Sequence, residues 1–377
     1  MHKLNLINLL RIKKSVEDTG ASGLDPATGK FSLPVDLIRT FAILLVIMLH
    51  AATEPITIAN QMSPEGVTLW WTTNIYDSLA RPAVPLFVML SGALLLQPAK
   101  LGESLSVFFK KRLNRIALPF LFWGVAYFAW RFFVHCEPLT VNSIVQGVLT
   151  GPYVHFWFLY LLVGLYLITP VLRVVVAYVD RKTFSFLLLL WFFGTAIAPV
   201  LGLLSAYRLN SNVFIVTGWV GYFLIGAYLL KVRVRPAVLS ALLVLGLTWT
   251  AIGTYLVVGT IGERVSQFFY DASSFSMIGA SVALFLLLAA VPSNMLEERF
   301  PRGSRVLRLI SQNTIPIYLF HMMVLEALQR GFFGFQISLS TMNPVLEVPL
   351  IAVVTLLICL GVICPLKRMP VVKKLIG

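Results

Sequence analysis

The first strongly apolar segment, residues 34–53, contains ionisable side chains whose spacing suits a catalytic centre. Arg39 and His50 are 11 residues apart, so on a helix they differ by about 20° in direction and about 16 Å along the axis. Asp36 precedes Arg39 by three residues, close enough for an ion pair that offsets the cost of burying the guanidinium. A titratable imidazole and a fixed cation on one face indicate a catalytic site. The alternative is that Asp36 and Arg39 reach the membrane surface while a neighbouring helix satisfies His50.

Arg81 stands directly before a second apolar segment, which begins with Pro82 and Pro85. Two prolines indicate an irregular helix start beside a cavity. Few other arginines lie on the predicted outer side with Arg81, which favours a functional role. An anchor at the external end of the span is the alternative.

A dense basic segment follows at residues 110–115, where four of six residues are Lys or Arg. Such a cluster at a membrane surface is ordinarily attracted to anionic lipids. Arg112 and Arg115 are three residues apart on one helical face, so with Lys111 they also suit the phosphates of a polyanionic cofactor. Residue chemistry alone leaves both interpretations open.

Further titratable residues lie at predicted membrane depth. His135 and His155 fall at the ends of apolar segments, where a histidine often only packs and hydrogen bonds. His321 and Glu326 lie inside a later segment, so burying them is costly and favours a function. An imidazole and a carboxylate in a membrane also suit the proton relay of a transporter.

The elements that position these residues are membrane spans. The chain has 377 residues, of which 58% are hydrophobic and 12% charged, and its mean hydropathy is +0.86. A soluble enzyme carries about a quarter charged residues, so this composition excludes one. The sequence predicts an all-α integral membrane protein with ten transmembrane helices: 34–53, 82–98, 116–136, 153–173, 184–204, 213–230, 237–258, 274–291, 311–330 and 347–366. It predicts a polar lead over 1–33, a membrane domain over 34–366 and a basic tail over 367–377.

The charge pattern orients these spans. The formal net charge is +14, and 24 of the 30 Lys and Arg residues fall in alternate links or at the two termini. This alternation predicts that both termini are cytoplasmic. It also accounts for most of the positive charge, so we expect no nucleic-acid partner, and membrane lipids are the expected surroundings.

The sequence offers little support for other classes of site or protein. The soluble hydrolase, metalloprotease and nucleotide-binding motifs are absent. The three cysteines form no metal-binding motif, so neither a metal nor a disulfide framework is expected. A transporter or lipid-linked glycan flippase remains the alternative to an enzyme, although the halves 34–204 and 213–366 show no convincing repeat. No pattern indicates an oligomeric state.

Five segments, in order, resemble motifs of the acyltransferase 3 family, multipass membrane enzymes that O-acetylate sugars of cell-surface glycans. The ordered set is more specific than any one motif, and it consists of Asp36-x-x-Arg39 with His50, Arg81 to Gly92, Lys111 to Pro119, His155 to Pro170, and Ile317-Tyr318-Leu319-Phe320-His321. The most similar branch acetylates repeating-unit sugars of bacterial polysaccharides such as enterobacterial common antigen. The 33-residue lead departs from the family, whose first span usually begins almost at once.

The resemblance implies a function and a set of roles. Cytosolic acetyl-CoA would donate an acetyl group to a sugar hydroxyl of a cell-surface or lipid-linked polysaccharide, at the cytoplasmic (inner) membrane. His50 would be the general base, since a neutral imidazole suits that step near physiological pH. Arg39, held by Asp36, would orient the donor, and Arg81 would stabilise an oxyanion or bind a glycan phosphate. Arg112 and Arg115, with Lys111, would bind the CoA phosphates. His155, Tyr318, His321 and Glu326 are further candidates.

Overall fold

The structure, a computed structural model, describes residues 33–52, 64–200, 218–229, 232–260, 268–292, 297–338 and 341–377. Within these ranges the regular secondary structure is entirely helical. The predicted polar lead therefore lies outside the described residues, except for its last position. The helices used below are α1 Leu33–Ala52, α2 Pro64–Ala80, α3 Ala83–Leu95, α4 Leu105–Val134, α5 Val141–Thr150, α6 Trp157–Tyr178, α7 Arg181–Phe192, α8 Trp219–Leu229, α9 Pro236–Thr260, α10 Phe275–Ala289, α11 Pro301–Gln312, α12 Thr314–Gln329, α13 Pro344–Leu366 and α14 Pro370–Ile376.

The all-α membrane class predicted from composition is confirmed. Among the described residues, eight helical segments are long and apolar enough to cross a membrane, and two shorter apolar helices are α8 and α12. Each of these segments overlaps one of the ten predicted spans. The eight long segments are Pro34–Ala52, Glu65–Leu95, Leu105–Val134, Val141–Tyr178, Arg181–Val200, Pro236–Val257, Phe268–Ala289 and Pro344–Leu366.

The sequence did not predict α2, which continues into α3 through a short turn. Polar residues interrupt its apolar pattern, and most of them are buried. The helix tolerates them because they hydrogen bond locally or across the bundle. The Thr72 hydroxyl donates to the Thr68 carbonyl at 2.8 Å, and the Asn74 amide donates to the Ala251 carbonyl of α9 at 3.0 Å.

Helix α1 lies at the centre of the bundle. It packs against α2, α3, α10, α11, α12 and α13. The packing of α1 places its polar residues between helices from both halves of the chain.

The predicted basic tail includes α14, which packs on α4. There the indole of Trp123 donates to the Ile376 carbonyl at 3.3 Å.

Helices α3 and α8 approach each other backbone to backbone. A Cβ atom on Gly92 would lie 1.8 Å from the Phe223 carbonyl oxygen, and one on Gly226 would lie 1.9 Å from that of Met89. Small residues permit this contact between membrane helices, whose association depends on close van der Waals packing. The close approach fixes α3, and with it one wall of the site described below.

Gly226→Val is therefore expected to destabilise the fold by about 3 kcal/mol, because the added side chain forces α3 and α8 apart. The measurement is the thermal unfolding midpoint of the detergent-purified protein. Gly164→Val in α6 is the matched control, since a Cβ there meets nothing within 4 Å. Equal midpoints for the two variants would contradict this account of the contact.

Candidate active site

Three histidines that are far apart in sequence meet inside the bundle. The ring centroid of His321 lies 5.3 Å from that of His50 and 5.2 Å from that of His155. His50 lies in the last turn of α1, His155 in the short turn before α6, and His321 in the middle of α12. His155 and His321 are fully buried. We call these three residues the histidine cluster.

Tyr318 links two members of the histidine cluster. Its hydroxyl donates to the His155 carbonyl at 2.5 Å, and its own carbonyl lies 2.6 Å from Nδ1 of His321. A carbonyl only accepts, so this contact places the His321 proton on Nδ1 and leaves a lone pair on Nε2. In the described part of the chain Nε2 has no hydrogen-bond partner. The cluster thus contains an imidazole able to accept a proton.

Asp36 is buried one turn before Arg39 and connects α1 to α11. The Ser311 hydroxyl donates to its carboxylate at 2.6 Å, and Nε of Arg308 lies 3.9 Å from it. The carboxylate interacts electrostatically with both Arg39 and Arg308. The sequence predicted the neighbour Arg39, but Ser311 and Arg308 were missed because nothing local signals partners about 270 residues away.

A cavity of about 460 Å³ runs from a basic mouth towards the histidine cluster. Its lining includes the predicted Arg39 of α1 and Tyr318, which contacts two of the histidines. Between them the walls are mostly apolar and come from α3, α4, α6 and α12. The basic residues of the lining are Arg39, Lys100, Lys111, Arg112 and Arg115. The structure therefore brings Arg39 and the three predicted phosphate-binding residues into one cavity and adds Lys100 to them.

The basic mouth is held in place by a network that the sequence did not predict. Arg173 is one of the 24 basic residues that the charge pattern assigned to links and termini, but it lies inside α6 and is only 4% exposed. It donates to the Leu95 carbonyl at 2.8 Å, the Lys100 carbonyl at 3.1 Å and the Glu103 carboxylate at 3.1 Å. Glu103 also pairs with Lys111 at 2.9 Å. Arg173 thus ties the link between α3 and α4 to α6, which fixes the cations that the link presents.

One aromatic ring orders two of these arginines. The guanidinium carbons of Arg112 and Arg173 each lie 4.7 Å from the ring centroid of Phe108, which is itself fully buried. A guanidinium over an aromatic face is attracted by the ring quadrupole. Arg112 is therefore positioned before any ligand binds.

Arg81 directly precedes the start of α3, as the sequence predicted, but a further helix, α2, precedes it. It lies in the turn between α2 and α3, about 21 Å along the axis from the end of α3. Its guanidinium pairs with Asp77 at 2.6 Å and lies 4.6 Å from the ring centroid of Tyr270. It also interacts electrostatically with His50. Because α2 was missed, so was Asp77.

Glu326 lies in a separate polar group at the far end of α12. Its carboxylate accepts from the Trp130 indole at 2.8 Å and from the Tyr153 hydroxyl, and it lies 3.0 Å from Nε2 of His135. The ring of Tyr153 lies 5.9 Å from that of His155, so this group borders the histidine cluster without joining it.

The described residues include no group of three or more His, Cys, Asp or Glu side chains that could hold a metal ion. The three cysteines are free. The site combines imidazoles, fixed cations and a cavity, which suits binding of an anionic substrate and proton transfer beside the cavity.

Comparison with known proteins agrees with this chemistry. A family model described as an acyltransferase domain matches residues 34–364. No curated protein and no solved structure matches the chain significantly. The matched range contains the histidine cluster, Arg81 and all five basic residues of the cavity. The chain belongs to the acyltransferase 3 family of membrane acyltransferases.

Proposed function

We propose that this protein transfers an acetyl group from acetyl-CoA to a sugar hydroxyl of a cell-surface or lipid-linked polysaccharide. The observation that carries the proposal is one cavity that presents five cations and reaches Tyr318, which contacts two members of the histidine cluster. Its cations and apolar walls fit a donor with phosphates at one end and a thioester at the other. A sugar in the repeating unit of a bacterial polysaccharide, as in enterobacterial common antigen, is the acceptor we favour.

The basic mouth suits the phosphates of CoA. Arg112 and Arg115 can each present two N–H groups to a phosphate, and Lys100 and Lys111 add point charges. The apolar walls beyond them, which include Phe87 and Phe158, suit the pantetheine arm. The positive-inside pattern supports a cytoplasmic location for this mouth, where acetyl-CoA is available, and a location in the cytoplasmic membrane.

The chemistry we propose is general-base acyl transfer at the histidine cluster. His50 removes the proton from the sugar hydroxyl as its oxygen attacks the thioester carbonyl. The C–S bond then breaks, and the imidazolium returns its proton to the departing CoA thiolate. Arg39, oriented through Asp36, holds the donor carbonyls, and Arg81 stabilises the negative charge on the carbonyl oxygen. His321, with its proton on Nδ1, and His155 complete the polar surroundings of His50.

Lys100 gives this donor site a predicted pH dependence. Burial lowers the pKa of Lys100, and the charges of Arg112 and Arg173 lower it further. Acetyl-CoA affinity should therefore be complete below this lowered pKa and fall as the pH rises through it. Lys100→Gln should raise the Kd about 10-fold at neutral pH. Lys100→Arg should keep the affinity and flatten its alkaline decline, because guanidinium stays protonated.

Equilibrium binding of radiolabelled acetyl-CoA to the purified protein across the alkaline range tests this prediction. Lys110→Gln is the matched control, because Lys110 is exposed and lies outside the cavity lining. If Lys100→Gln and Lys110→Gln bind acetyl-CoA equally well, Lys100 has no part in the donor site.

Transfer by the reconstituted protein tests the proposed function itself. Proteoliposomes would receive acetyl-CoA labelled in its acetyl group, with lipid-linked glycans extracted from the source cells. We expect label in the glycan fraction and an equal amount of free CoA thiol. Movement of glycan across the bilayer with no consumption of acetyl-CoA would contradict the proposal and support a flippase.

A further inference from the structure

Asp77 and Tyr270 hold the Arg81 guanidinium from two sides. The Asp77 carboxylate, one turn earlier in α2, lies 2.6 Å from Nη2 of Arg81. The ring of Tyr270 lies against the guanidinium, with 4.6 Å between the guanidinium carbon and the ring centroid. The carboxylate attracts by charge and the ring by its quadrupole, so together they fix the direction of the side chain.

Tyr270 is itself held rigidly. Its hydroxyl donates to Oδ1 of Asn74 at 2.6 Å, and the amide of Asn74 donates to the Ala251 carbonyl at 3.0 Å. The Asn74 side chain is buried, being only 2% exposed. A chain of hydrogen bonds from α2 to α9 therefore keeps the Tyr270 ring under Arg81.

The Asp77 and Arg81 pair is poorly suited to a purely structural role. Asp77 is 5% exposed, and in the described part of the chain neither its Oδ1 nor Nε of Arg81 has a hydrogen-bond partner. Buried ion pairs with unsatisfied polar atoms stabilise a fold little or not at all. The pair instead keeps a partly exposed guanidinium, with donors to spare, in the turn between α2 and α3. Both of these helices pack on α1, whose last turn contains His50, and the charge of Arg81 acts on that imidazole.

We propose that Asp77 is a positioning residue for acyl transfer, which acts by aiming Arg81 at the histidine cluster, with Tyr270 as its second support. This inference rests on the proposed function and on the role given there to Arg81. Negative charge develops on the thioester carbonyl oxygen when the sugar hydroxyl attacks. A guanidinium already fixed at that position stabilises the charge without reorganising during the reaction.

A double-mutant cycle tests the inference. The rate at which free CoA thiol is released from acetyl-CoA is measured in the proteoliposomes described above. Four proteins are compared: the unsubstituted protein, Asp77→Asn, Arg81→Ala and the double variant. We expect kcat to fall about 100-fold for Arg81→Ala and about 10-fold for Asp77→Asn. The double variant should be no slower than Arg81→Ala, because Asp77 acts only through Arg81. Asp77→Glu should recover part of the lost rate by restoring the charge.

Two further measurements separate positioning from a general loss of structure. The Kd for acetyl-CoA should stay within about 2-fold in every variant, since none of the substituted residues lines the cavity that contains the donor-site cations. If Asp77→Asn fails to fold, Tyr270→Leu takes its place in the cycle. The double variant Tyr270→Leu with Arg81→Ala should then have no lower kcat than Arg81→Ala alone.

The outcomes are distinct. Multiplicative losses in the double variant, or full activity of Asp77→Asn, would overturn the positioning role while leaving the proposed function intact. Absence of acetyl transfer by the unsubstituted protein would instead overturn the proposed function, and the positioning role with it.

Discussion

His50→Ala is expected to lower acetyl transfer by about 10²- to 10⁴-fold while leaving acetyl-CoA binding nearly unchanged. The size follows from the usual contribution of a positioned general base. Binding should survive because the cations that hold the donor surround the mouth of the cavity, whereas His50 belongs to the cluster beyond its inner end. The measurement is single-turnover transfer of labelled acetyl groups, with Kd determined on the same preparation.

His50→Gln and His135→Gln make this test specific. His50→Gln preserves most of the side-chain volume but accepts no proton, so it should be as inactive as His50→Ala. His135→Gln should keep at least half of the activity, because His135 contacts Glu326 outside the histidine cluster. Near-normal turnover by correctly inserted His50→Ala protein would remove His50 from the mechanism.

The double substitution of Arg112 and Arg115 by alanine should raise the Kd for acetyl-CoA by at least about 100-fold. A hydrogen bond to a charged group contributes about 1.5 to 3 kcal/mol, and two such losses correspond to that factor or more. The dependence of binding on salt concentration should also weaken, because fewer charges then contact the phosphates. Equilibrium binding of radiolabelled acetyl-CoA in detergent measures both effects.

Arg302→Ala combined with Arg305→Ala is the matched control for this pair. It removes the same charge from the exposed surface of α11, where neither residue lines the cavity. The control should bind acetyl-CoA as the unsubstituted protein does. Unchanged affinity in the Arg112 and Arg115 variant would instead return these residues to the anionic-lipid interpretation.

The spans were predictable because each depends on a local property, a long apolar run. Helix α2 was not, because Asn74 and Asp77 break its pattern and are tolerated only through contacts with other helices. The helix that carries both Arg39 and His50 was predictable for the same local reason, and its known pitch puts them on one face. The approach of His155 and His321 to His50 depends on tertiary packing, which spacing within one segment does not encode.

The residues that sequence reasoning missed share a physical cause. Arg173 resembled one more basic residue near a membrane surface, yet its guanidinium is buried against a link about 70 residues earlier. Tyr270 reaches Asn74 and Arg81 across nearly 200 residues. Such residues carry no motif of their own, because their importance lies in what they hold in place.

Mass spectrometry of surface glycans tests the central claim most directly. Three strains of the source organism would be compared: one without the gene, one with the gene restored, and one carrying His50→Gln. We predict that one glycan repeating unit is heavier by the mass of an acetyl group only where the unsubstituted gene is present, and that alkali removes the difference because the linkage is an ester. Identical O-acetyl content in all three strains would contradict the account.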